Sequence, residues 1–576
     1  MEIGLGCMRL STDPDRDEER ALATLRAARE AGVRLFDTAA AYGRNAREHH
    51  GERLLARAFG AGLGELEVVT KAGMARPKGG WRPDGRRKTI LADAEASRRA
   101  LGVEALDLLL LHAPDPRVPF ATSVRALATL LERGVAEAVG LSNVRLDQLE
   151  EARAIVPIDC VQVALSPFDE DAVRGGVVER CFELGIRVLA HSPLGGPKRR
   201  GVLARHEDLA SLAGAHGVTA ETIALAWLAG LHPSLVPLPG ARRPETARLA
   251  GAAATLALRD DERALLDALF PIGELVRTRR AERRATRPRS EREVVLFVGM
   301  PAAGKTEAAR HEGGLRLSRD ERGGTLKDLA RAMEAELEDG ARKVVMDATY
   351  PTRAQRNRVL EAAWRQGARV RAVWFDTPLA QAQLNAVDRM LAKAGRVLDP
   401  DALKKAGRAD PTMIPPAAQL RFARTFEPPR EDEGFDGIER RAFERRPRPD
   451  HREAGLVIDA ALLEEAEDEA GWLSRLAERT PRTALLVTAW WPDLGAAERG
   501  AREGALAHRI ARLGAELAVC PHAAGPPRCW CRPPLPGLVL PWMRRERIAP
   551  EKLTLVGGGL APLADALGAL SLPRLR

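Results

Sequence analysis

Four polar residues lie at or just after the ends of predicted strands in the N-terminal half: Asp37, Tyr42, Lys71 and His112. Reduction of a carbonyl by hydride needs a proton donor at the developing alkoxide, and a phenol with an ordinary pKa of about 10 is a poor one near neutral pH. A cation stabilises the phenolate and lowers that pKa, a role that suits Lys71, with Asp37 holding the lysine in place. His112 would orient the carbonyl oxygen through a hydrogen bond. Together these residue types indicate carbonyl reduction.

The surrounding chain alternates strand-like and helical patterns. Amphipathic stretches such as 18–31 and 119–132 predict helices. Seven short apolar runs predict strands at 34–37, 67–71, 106–112, 136–143, 160–166, 185–193 and 234–239. Repeated strand–helix units without a G-x-G-x-x-G motif favour a (β/α)8 barrel over a doubly wound sheet. Since barrel enzymes carry their chemistry at the carboxyl ends of the strands, we expect the four residues to meet there.

Residues 1–276 resemble the aldo-keto reductase family in stretches that occur in order. These are FDTAAAYG (36–43), VVTKAG (68–73), LLLLHAPD (108–115), VGLSNV (139–144), VQVALSP (161–167) and VLAHSPLGG (188–196). The resemblance implies NADPH-dependent reduction of a small carbonyl substrate, with the four residues above as the catalytic tetrad. It also implies cofactor contacts from Ser142, Asn143, Gln162, Ser192 and Leu194, and a cation for the 2′-phosphate at Arg242 or Arg243 within PLPGARRPET (237–246). The Glu-Asn pair that usually contacts adenine in this family is missing near Leu249 and Ala250.

The next segment, 277–292, contains eight arginines and almost nothing apolar. Such a run predicts a solvated linker or, alternatively, a basic arm that follows a phosphate backbone. A new α/β pattern over 293–446 begins directly after it with VVLFVGMPAAGKT. The chain therefore changes domain here.

This second pattern places G-x-x-x-x-G-K-T after an apolar strand, with glycines at Gly299 and Gly304. In such a loop the backbone amides cradle phosphates, Lys305 reaches the β- and γ-phosphates, and Thr306 ligates Mg²⁺. The motif predicts binding of ATP with Mg²⁺. It does not by itself distinguish a kinase from an ATPase.

Residues downstream of the loop suit phosphoryl transfer. Asp320 fits the base that takes the proton of an acceptor hydroxyl, and Asp347 fits Mg²⁺ binding or acceptor positioning. Arg389 and Arg396 fit a lid over the phosphates, with solvated helix charge as an equal alternative.

Residues 293–446 resemble the kinase domain of polynucleotide 5′-hydroxyl kinases. The matching stretches are VGMPAAGKT, SRDE, MDATYPTRAQRNRV and RFARTFEPPREDEGFDGIERRAF (421–443). The resemblance implies ATP-dependent phosphorylation of a 5′-OH end of RNA or DNA, and it carries over Lys305, Thr306, Asp320, Asp347 and Arg389. An Asn expected after Asp347 is replaced, since the chain reads Asp-Ala-Thr-Tyr there. A small-molecule acceptor stays open, because related P-loop kinases act on metabolites.

Half of the six cysteines lie within a short C-terminal stretch. Cys520, His522, Cys529 and Cys531 form a C-x-H…C-x-C pattern. Three thiolates and one imidazole suit tetrahedral Zn²⁺, and a full set of four protein ligands indicates a structural site.

The context AVCPHAAGPPRCWCRPPLPGL (518–538) resembles the zinc loop of haloacid dehalogenase-type phosphatases, and LLVTAW, with Thr488, resembles their second motif. The resemblance implies a small Rossmann-like domain over 454–576. Its catalytic groups are missing, because Asp459 is followed by Ala461 where a second acid is expected, and Gly558 replaces the Mg²⁺-binding acid. We therefore expect a pseudophosphatase that hydrolyses no phosphate ester.

With 576 residues the chain is too long for one hydrophobic core. No apolar run reaches the ~18 residues of a membrane span, and no secretory signal is evident, so we expect a cytoplasmic protein without membrane contact. The oligomeric state stays open. The expected function is a fused NADPH-dependent reductase and polynucleotide kinase. The alternatives are a reductase with a small-molecule kinase, or a nucleic-acid-binding scaffold with one active module.

Overall fold

The computed structural model describes residues 1–45, 48–199, 201–286, 290–445, 448–464, 483–525 and 527–574. The chain divides into two compact units. The first comprises Met1–Thr286 with Arg353–Arg358, and the second comprises Arg287–Thr352 with Val359–Arg576. Within the described ranges, no helix is both long and apolar enough to cross a membrane.

The first unit contains a closed barrel of eight parallel strands, as predicted. The strands are Leu5–Gly6, Leu35–Asp37, Glu67–Ala72, Leu106–Leu111, Ala136–Ser142, Cys160–Ala164, Arg187–His191 and Leu235–Leu238. Each pairs with the next, and the amides of Gly4 and Gly6 donate to the carbonyls of Pro237 and Pro239, which closes the barrel. All seven predicted runs form strands. Inward side chains such as Leu35, Leu108 and Leu189 fill the interior, so the barrel is a packed core.

Helices cover the barrel, because each has one apolar stripe to bury. In Glu18–Glu30 the buried residues Ala21, Leu25 and Ala28 recur at helical spacing, and the Asp17 carboxylate caps the helix by accepting from the Arg20 amide. The other helices are Met8–Thr12, His50–Phe59, Arg87–Leu101, Phe120–Glu132, Leu146–Arg153, Asp171–Arg174, Val177–Glu183, Glu207–His216, Ala220–Ala229, Pro244–Thr255, Asp260–Leu269, Ile272–Arg277 and Arg280–Ala285. A short hairpin, Met74–Ala75 with Arg82–Pro83, follows the third strand.

Residues 277–286 of the predicted basic linker belong to the first unit, which moves the boundary from 276 to 286. Arg280–Ala285 forms a helix, and the buried guanidinium groups of Arg280 and Arg283 donate to backbone carbonyls. The first unit therefore extends to Thr286. Arginines that donate to carbonyls inside a fold are withdrawn from solvent, which argues against a free basic arm over the described residues 277–286.

The second unit begins with a five-stranded parallel sheet. Its order is Leu315–Ser318, Lys343–Asp347, Glu293–Gly299, Arg369–Asp376 and Gly437–Ala442. Its helices are Lys305–His311, Arg319–Arg322, Leu326–Glu338, Leu379–Ala394, Pro400–Ala409 and Pro416–Thr425. The helix Arg353–Arg365 belongs to the second unit from Val359 onward, and its first residues, Arg353–Arg358, are counted with the first unit. The central strand is apolar and buried along nearly all its length, as expected for a parallel strand covered on both faces. Its carboxyl end lies beside that of Lys343–Asp347, where ligands of such sheets bind.

A second five-stranded parallel sheet follows, with the order Glu516–Cys520, Ala484–Trp490, Glu453–Asp459, Ile548–Val556 and Leu570–Leu572. Its described helices are Ala460–Glu464, Ala496–Ile510, Val539–Arg545 and Ala561–Leu567. This open sheet agrees with the expected Rossmann-like form. The predicted domains 293–446 and 454–576 are nevertheless not independent, since both belong to the second unit. Leu384 and Val387 of Leu379–Ala394, which we name the lid helix, share one core with Trp530 and Trp542.

Candidate active sites

Three of the four tetrad candidates form a hydrogen-bonded cluster at the carboxyl ends of barrel strands. The Lys71 ammonium donates to Asp37 Oδ1 (2.5 Å), the Thr38 carbonyl (2.8 Å) and Tyr42 Oη (3.2 Å). Lys71 is only 1% exposed, and these three acceptors satisfy its three donors. Gln162 Nε2 also donates to Asp37 Oδ1 (2.7 Å) and fixes the carboxylate from another strand. The expected contacts of Lys71 with Asp37 and Tyr42 are therefore present.

The electrostatics of the phenol differ from the sequence-based expectation. Burial raises the pKa of Tyr42 to about 12, although Lys71 lowers it. Burial lowers the pKa of Lys71, but the carboxylate of Asp37 and the phenol outweigh it and leave the pKa raised. The expected net lowering of the Tyr42 pKa does not occur because desolvation dominates. At neutral pH the site thus holds a protonated phenol beside a charged ammonium.

His112 follows the strand Leu106–Leu111 and is buried beside the phenol, with 5.9 Å between the ring centroids of His112 and Tyr42. Burial, followed by the charge of Lys71, lowers the pKa of His112 well below its usual range. The imidazole is therefore neutral. Its Nδ1 has no hydrogen-bond partner among the residues that the structure describes. A neutral imidazole here can contact a carbonyl oxygen without adding charge.

A cavity of about 670 Å³ adjoins this cluster. Its lining includes the five predicted cofactor contacts, Ser142, Asn143, Gln162, Ser192 and Leu194. Asn143 and Ser192 have backbone φ of 58° and 53°, a conformation that costs free energy in residues other than glycine. The Asn143 carboxamide donates to the His112 carbonyl (3.1 Å) and contacts His191 Nε2 (3.2 Å). Strain held by such contacts is typical of a site shaped for a ligand.

Residues that the sequence did not single out also line this cavity: Met8, Met74, Trp81 and His191. The Trp81 ring is 46% exposed and lies 6.2 Å from the Tyr42 ring and 5.7 Å from the His112 ring. The guanidinium carbon of Arg76 lies 4.5 Å from the centroid of Trp81. The one available signal was position, because Trp81 falls in the loop after the strand that carries Lys71.

The two candidate cations for a 2′-phosphate differ in their surroundings. Arg242 lies 2.6 Å from the carboxylates of both Asp13 and Asp15, so its charge is already balanced. Arg243 is exposed at the start of Pro244–Thr255, and in the described part of the chain it makes no ion pair. Neither lines the cavity. The geometry therefore favours Arg243 as the free cation.

The second unit contains a cavity of about 540 Å³ at the end of its first sheet. The predicted residues Gly304, Lys305, Thr306, Asp320, Asp347 and Arg389 all line it. Gly304 begins the helix Lys305–His311 with φ of 92°, which glycine adopts without a Cβ penalty. Gly299 lies just before the lining residues and has φ of 153°. The P-loop residues are thus assembled as predicted.

Lys305 is 6% exposed, and its ammonium donates to the carbonyls of Gly299 (2.9 Å) and Met300 (2.7 Å). Burial lowers the pKa of Lys305 to about 8. The Thr306 hydroxyl lies 3.4 Å from Asp347 Oδ1, and Arg316 holds the other carboxylate oxygen at 2.8 Å. A hydroxyl beside a carboxylate at the loop is the donor set that Mg²⁺ uses in P-loop proteins, so these residues fit the ion.

The lid helix brings Arg389 into this cavity, which favours a phosphate-facing role over solvated charge. Arg396 does not line the cavity, and its lid role stays a prediction beside the alternative of solvated helix charge. Arg319, Lys393 and Arg421, none of them singled out above, line it instead. Lys393 could have been found, because it lies one helical turn after Arg389 on the same face.

The cysteine cluster assembles as predicted. All four ligand atoms of Cys520, His522, Cys529 and Cys531 lie within 4.8 Å of one another. The Sγ atom of Cys520 is 3.8 Å from that of Cys529 and 3.5 Å from that of Cys531, and His522 Nδ1 lies 3.6 Å and 3.3 Å from the sulfurs of Cys520 and Cys531. With Zn–S bonds of about 2.3 Å, a tetrahedral ion separates its ligands by about 3.8 Å. The residues therefore fit Zn²⁺.

The neighbouring phosphatase-like residues also lie at strand ends. Asp459 pairs in register with Thr488, and its carboxylate accepts from the Ala461 amide (3.1 Å). Ala461 and Gly558 bring no second carboxylate to this edge. The absence of phosphatase activity stays a prediction.

Comparison with known proteins identifies two parts of the chain. The model of the Aldo/keto reductase family matches residues 2–270, which confirms the resemblance of the barrel segment. The model of an AAA domain matches residues 294–407, so a P-loop domain is present. The resemblances to polynucleotide kinases and to haloacid dehalogenase-type phosphatases stay predictions.

Three similar proteins are aldo-keto reductases by name, and each matches about half of this chain. A protein of Glycine max named probable aldo-keto reductase 1 is 29% identical over 306 residues, covering 48% of this chain and 86% of that protein. A crystallised thermostable aldo-keto reductase with the inhibitor epalrestat is 31% identical, with a TM-score of 0.40 over 46% of this chain and 94% of its own. An aldo/keto reductase from Klebsiella pneumoniae with NADP and acetate is 25% identical, with a TM-score of 0.41 over 47% and 91%.

Proposed function

We propose, since residues 2–270 belong to the aldo/keto reductase family, that the barrel reduces small carbonyl compounds with NADPH. The observation that carries the proposal is the buried Asp37–Lys71–Tyr42 cluster, with its neutral His112, at the edge of a large cavity. The exposed Trp81 ring beside the phenol favours substrates with an apolar or aromatic group next to the carbonyl.

The chain's own residues supply the proton and the orientation. NADPH, when held by Ser142, Asn143, Gln162, Ser192 and Leu194, supplies a hydride to the carbonyl carbon. The protonated phenol of Tyr42 gives its proton to the carbonyl oxygen as negative charge develops there. Lys71 stabilises the phenolate that remains, and Asp37 keeps the lysine charged and in place. His112 donates a hydrogen bond to the same oxygen and fixes its direction.

The test is NADPH oxidation with aliphatic and aromatic aldehydes and ketones. Tyr42→Phe should lower kcat/KM by about 10²–10⁴, because it removes the proton donor, while the affinity for NADPH stays unchanged. Trp81→Ala should lower kcat/KM for aromatic substrates more than for short aliphatic ones. An active Tyr42→Phe variant would refute the mechanism.

We propose a second activity for residues 293–446, the Mg²⁺- and ATP-dependent transfer of a phosphoryl group to the 5′-hydroxyl end of RNA or DNA. One cavity gathers Lys305, Thr306 and Asp347 for the nucleotide and Mg²⁺, Arg389 for phosphate charge, and Asp320 as a carboxylate that can take the acceptor's proton. Arg319 and Arg421 add further positive charge to the wall, which suits a polyanionic acceptor.

Transfer of the γ-phosphate from ATP to oligonucleotides with free 5′-hydroxyls tests this proposal, with Lys305→Ala as the inactive variant. ATP turnover without labelled oligonucleotide would move the proposal to a small-molecule acceptor. Salt-sensitive oligonucleotide binding without ATP turnover would favour a nucleic-acid-binding scaffold.

We also propose that Cys520, His522, Cys529 and Cys531 bind one structural Zn²⁺. The four ligand atoms leave no coordination position for a substrate, and their spacing suits a tetrahedral ion. One equivalent of zinc in the purified chain, lost with Cys529→Ser, is the expected result.

A further inference from the structure

We infer that metal binding at the cysteine cluster and nucleotide binding in the P-loop cavity are linked, and that Trp530 is the positioning residue that links them. The inference rests on the zinc and nucleotide sites proposed above. It goes beyond them, because neither site by itself requires the other.

Trp530 lies between two of the cluster cysteines, Cys529 and Cys531, and its side chain is fully buried. Its indole Nε1 donates to the Ile414 carbonyl at 3.0 Å. An indole has this single donor, and a buried donor without a partner is costly, so the contact fixes both the ring and the carbonyl. The Gly537 amide donates to the Trp530 carbonyl at 3.0 Å and holds the residue from the other side.

Ile414 belongs to the loop 410–415, which forms part of the cavity wall through Pro411, Thr412 and Ile414. The same loop holds the cations of the lid helix. Lys393 Nζ donates to Thr412 Oγ1 (2.9 Å) and Arg389 donates to the Thr412 carbonyl (3.4 Å). The Ile414 carbonyl, which accepts from Trp530, is therefore two residues from Thr412, which accepts from both Arg389 and Lys393.

The region 454–576, which carries the metal ligands, also contacts the lid helix directly. Arg544 lies 2.9 Å from the carboxylate of Asp388, the residue before Arg389. Gln381 Nε2 donates to the Ala566 carbonyl at 2.5 Å. On the same helix, Asn385 Nδ2 donates to the Ala302 carbonyl of the phosphate loop at 3.0 Å. One helix thus contacts both the phosphate loop and the segment that carries the metal ligands.

A structural zinc ion orders the loop that ligates it, so its loss frees the chain around Trp530. The Ile414 carbonyl then loses its buried donor, and the loop that holds Arg389 and Lys393 loses an anchor. Ordering two sites through shared contacts gives coupling factors of about 5- to 150-fold. We expect zinc removal to weaken ATP binding within this range, and ATP to strengthen zinc binding by the same factor, since linkage is reciprocal.

The experiment uses the full-length chain. The dissociation constant of an ATP analogue is measured with zinc-loaded and chelator-treated protein, and zinc affinity is measured against a competing chelator with and without the analogue. Wild type is compared with Trp530→Phe, which keeps an aromatic side chain and removes the indole donor. Trp490→Phe is the matched control, because its indole donates to the His522 carbonyl (2.7 Å) beside the same metal ligands without contacting the cavity.

In wild type and Trp490→Phe, zinc removal should weaken nucleotide binding and the nucleotide should strengthen zinc binding equally. Trp530→Phe should bind nucleotide weakly with zinc present and show no further loss without it. Calorimetric unfolding of the second unit, to which both tryptophans belong, reports whether each variant is folded.

Each remaining outcome is decisive. If zinc and nucleotide both bind but their affinities are independent, the inference is wrong while both proposed sites stand. If Trp530→Phe retains the wild-type linkage, Trp530 is not the link. Failure of zinc or nucleotide to bind at all would refute that proposed site and the inference with it.

Discussion

Lys71→Met removes the buried cation of the reductase site while keeping a side chain of similar length. In wild type the Lys71 ammonium lies 3.2 Å from Tyr42 Oη. At an effective dielectric constant of about 20, unit charges at this distance attract with about 5 kcal/mol. Since each 1.36 kcal/mol is tenfold in rate, the loss of the cation should slow reduction by about 10³–10⁴.

The same substitution isolates the carboxylate of Asp37. Breaking a buried pair costs about 3–5 kcal/mol, because one charge stays without its partner. Asp37→Asn combined with Lys71→Met removes both charges and should recover much of the stability but none of the activity. Thermal unfolding of both variants therefore separates a folding defect from a catalytic one.

The assay is kcat/KM for carbonyl reduction in wild type, in Lys71→Met, in Tyr42→Phe and in the double variant that combines Lys71→Met with Tyr42→Phe. If Lys71 acts through the phenol, the double variant is no slower than Tyr42→Phe alone. Losses that add, or a folded Lys71→Met variant within tenfold of wild type, would refute this role of the lysine.

Three further predictions concern pH, cofactor choice and metal. The pKa of His112 lies well below its usual value of 6.5, and that of Tyr42 is raised to about 12. The rate of reduction should therefore show no titration midpoint near pH 6.5 and should decline only at alkaline pH, where the phenol loses its proton. A loss of rate on the acid side near pH 6.5 would contradict this. Arg243→Ala should raise the KM for NADPH about tenfold (~1.4 kcal/mol) and leave the KM for NADH unchanged. Arg242→Ala should act less, because Asp13 and Asp15 already balance its charge, and the reverse order would reassign the 2′-phosphate site. Cys529→Ser should remove zinc and lower the unfolding temperature of the second unit without slowing NADPH oxidation. Metal analysis and calorimetry measure the first two effects. A full zinc content in this variant would exclude the proposed ligand set.

Much of both sites was predictable, because their residues follow apolar runs and the two folds bring such strand ends together. Lys71 lies near the end of one barrel strand, His112 directly follows another, and Lys305 follows a strand and a glycine loop. The local sequence pattern therefore predicted both the strand and the position of the functional side chain relative to its end.

The remaining features depend on packing between distant parts of the chain. Arg242 pairs with Asp15, 227 residues earlier, and no local pattern indicates that its charge is balanced. The sign of the Tyr42 pKa shift depends on how completely the fold excludes water. The arginines of 277–292 read as solvated charge, yet Arg280 and Arg283 are buried because backbone carbonyls accept their donors.

The central claim is that one chain holds two separate active sites, and a paired assay on the full-length protein tests it most directly. NADPH-dependent carbonyl reduction and γ-phosphate transfer from ATP to 5′-hydroxyl oligonucleotides are measured on the same preparations of wild type, Tyr42→Phe and Lys305→Ala. We expect Tyr42→Phe to lose reduction and keep phosphoryl transfer, and Lys305→Ala to do the opposite. Wild-type protein that lacks either activity, or a variant that loses both while folded, would contradict the claim.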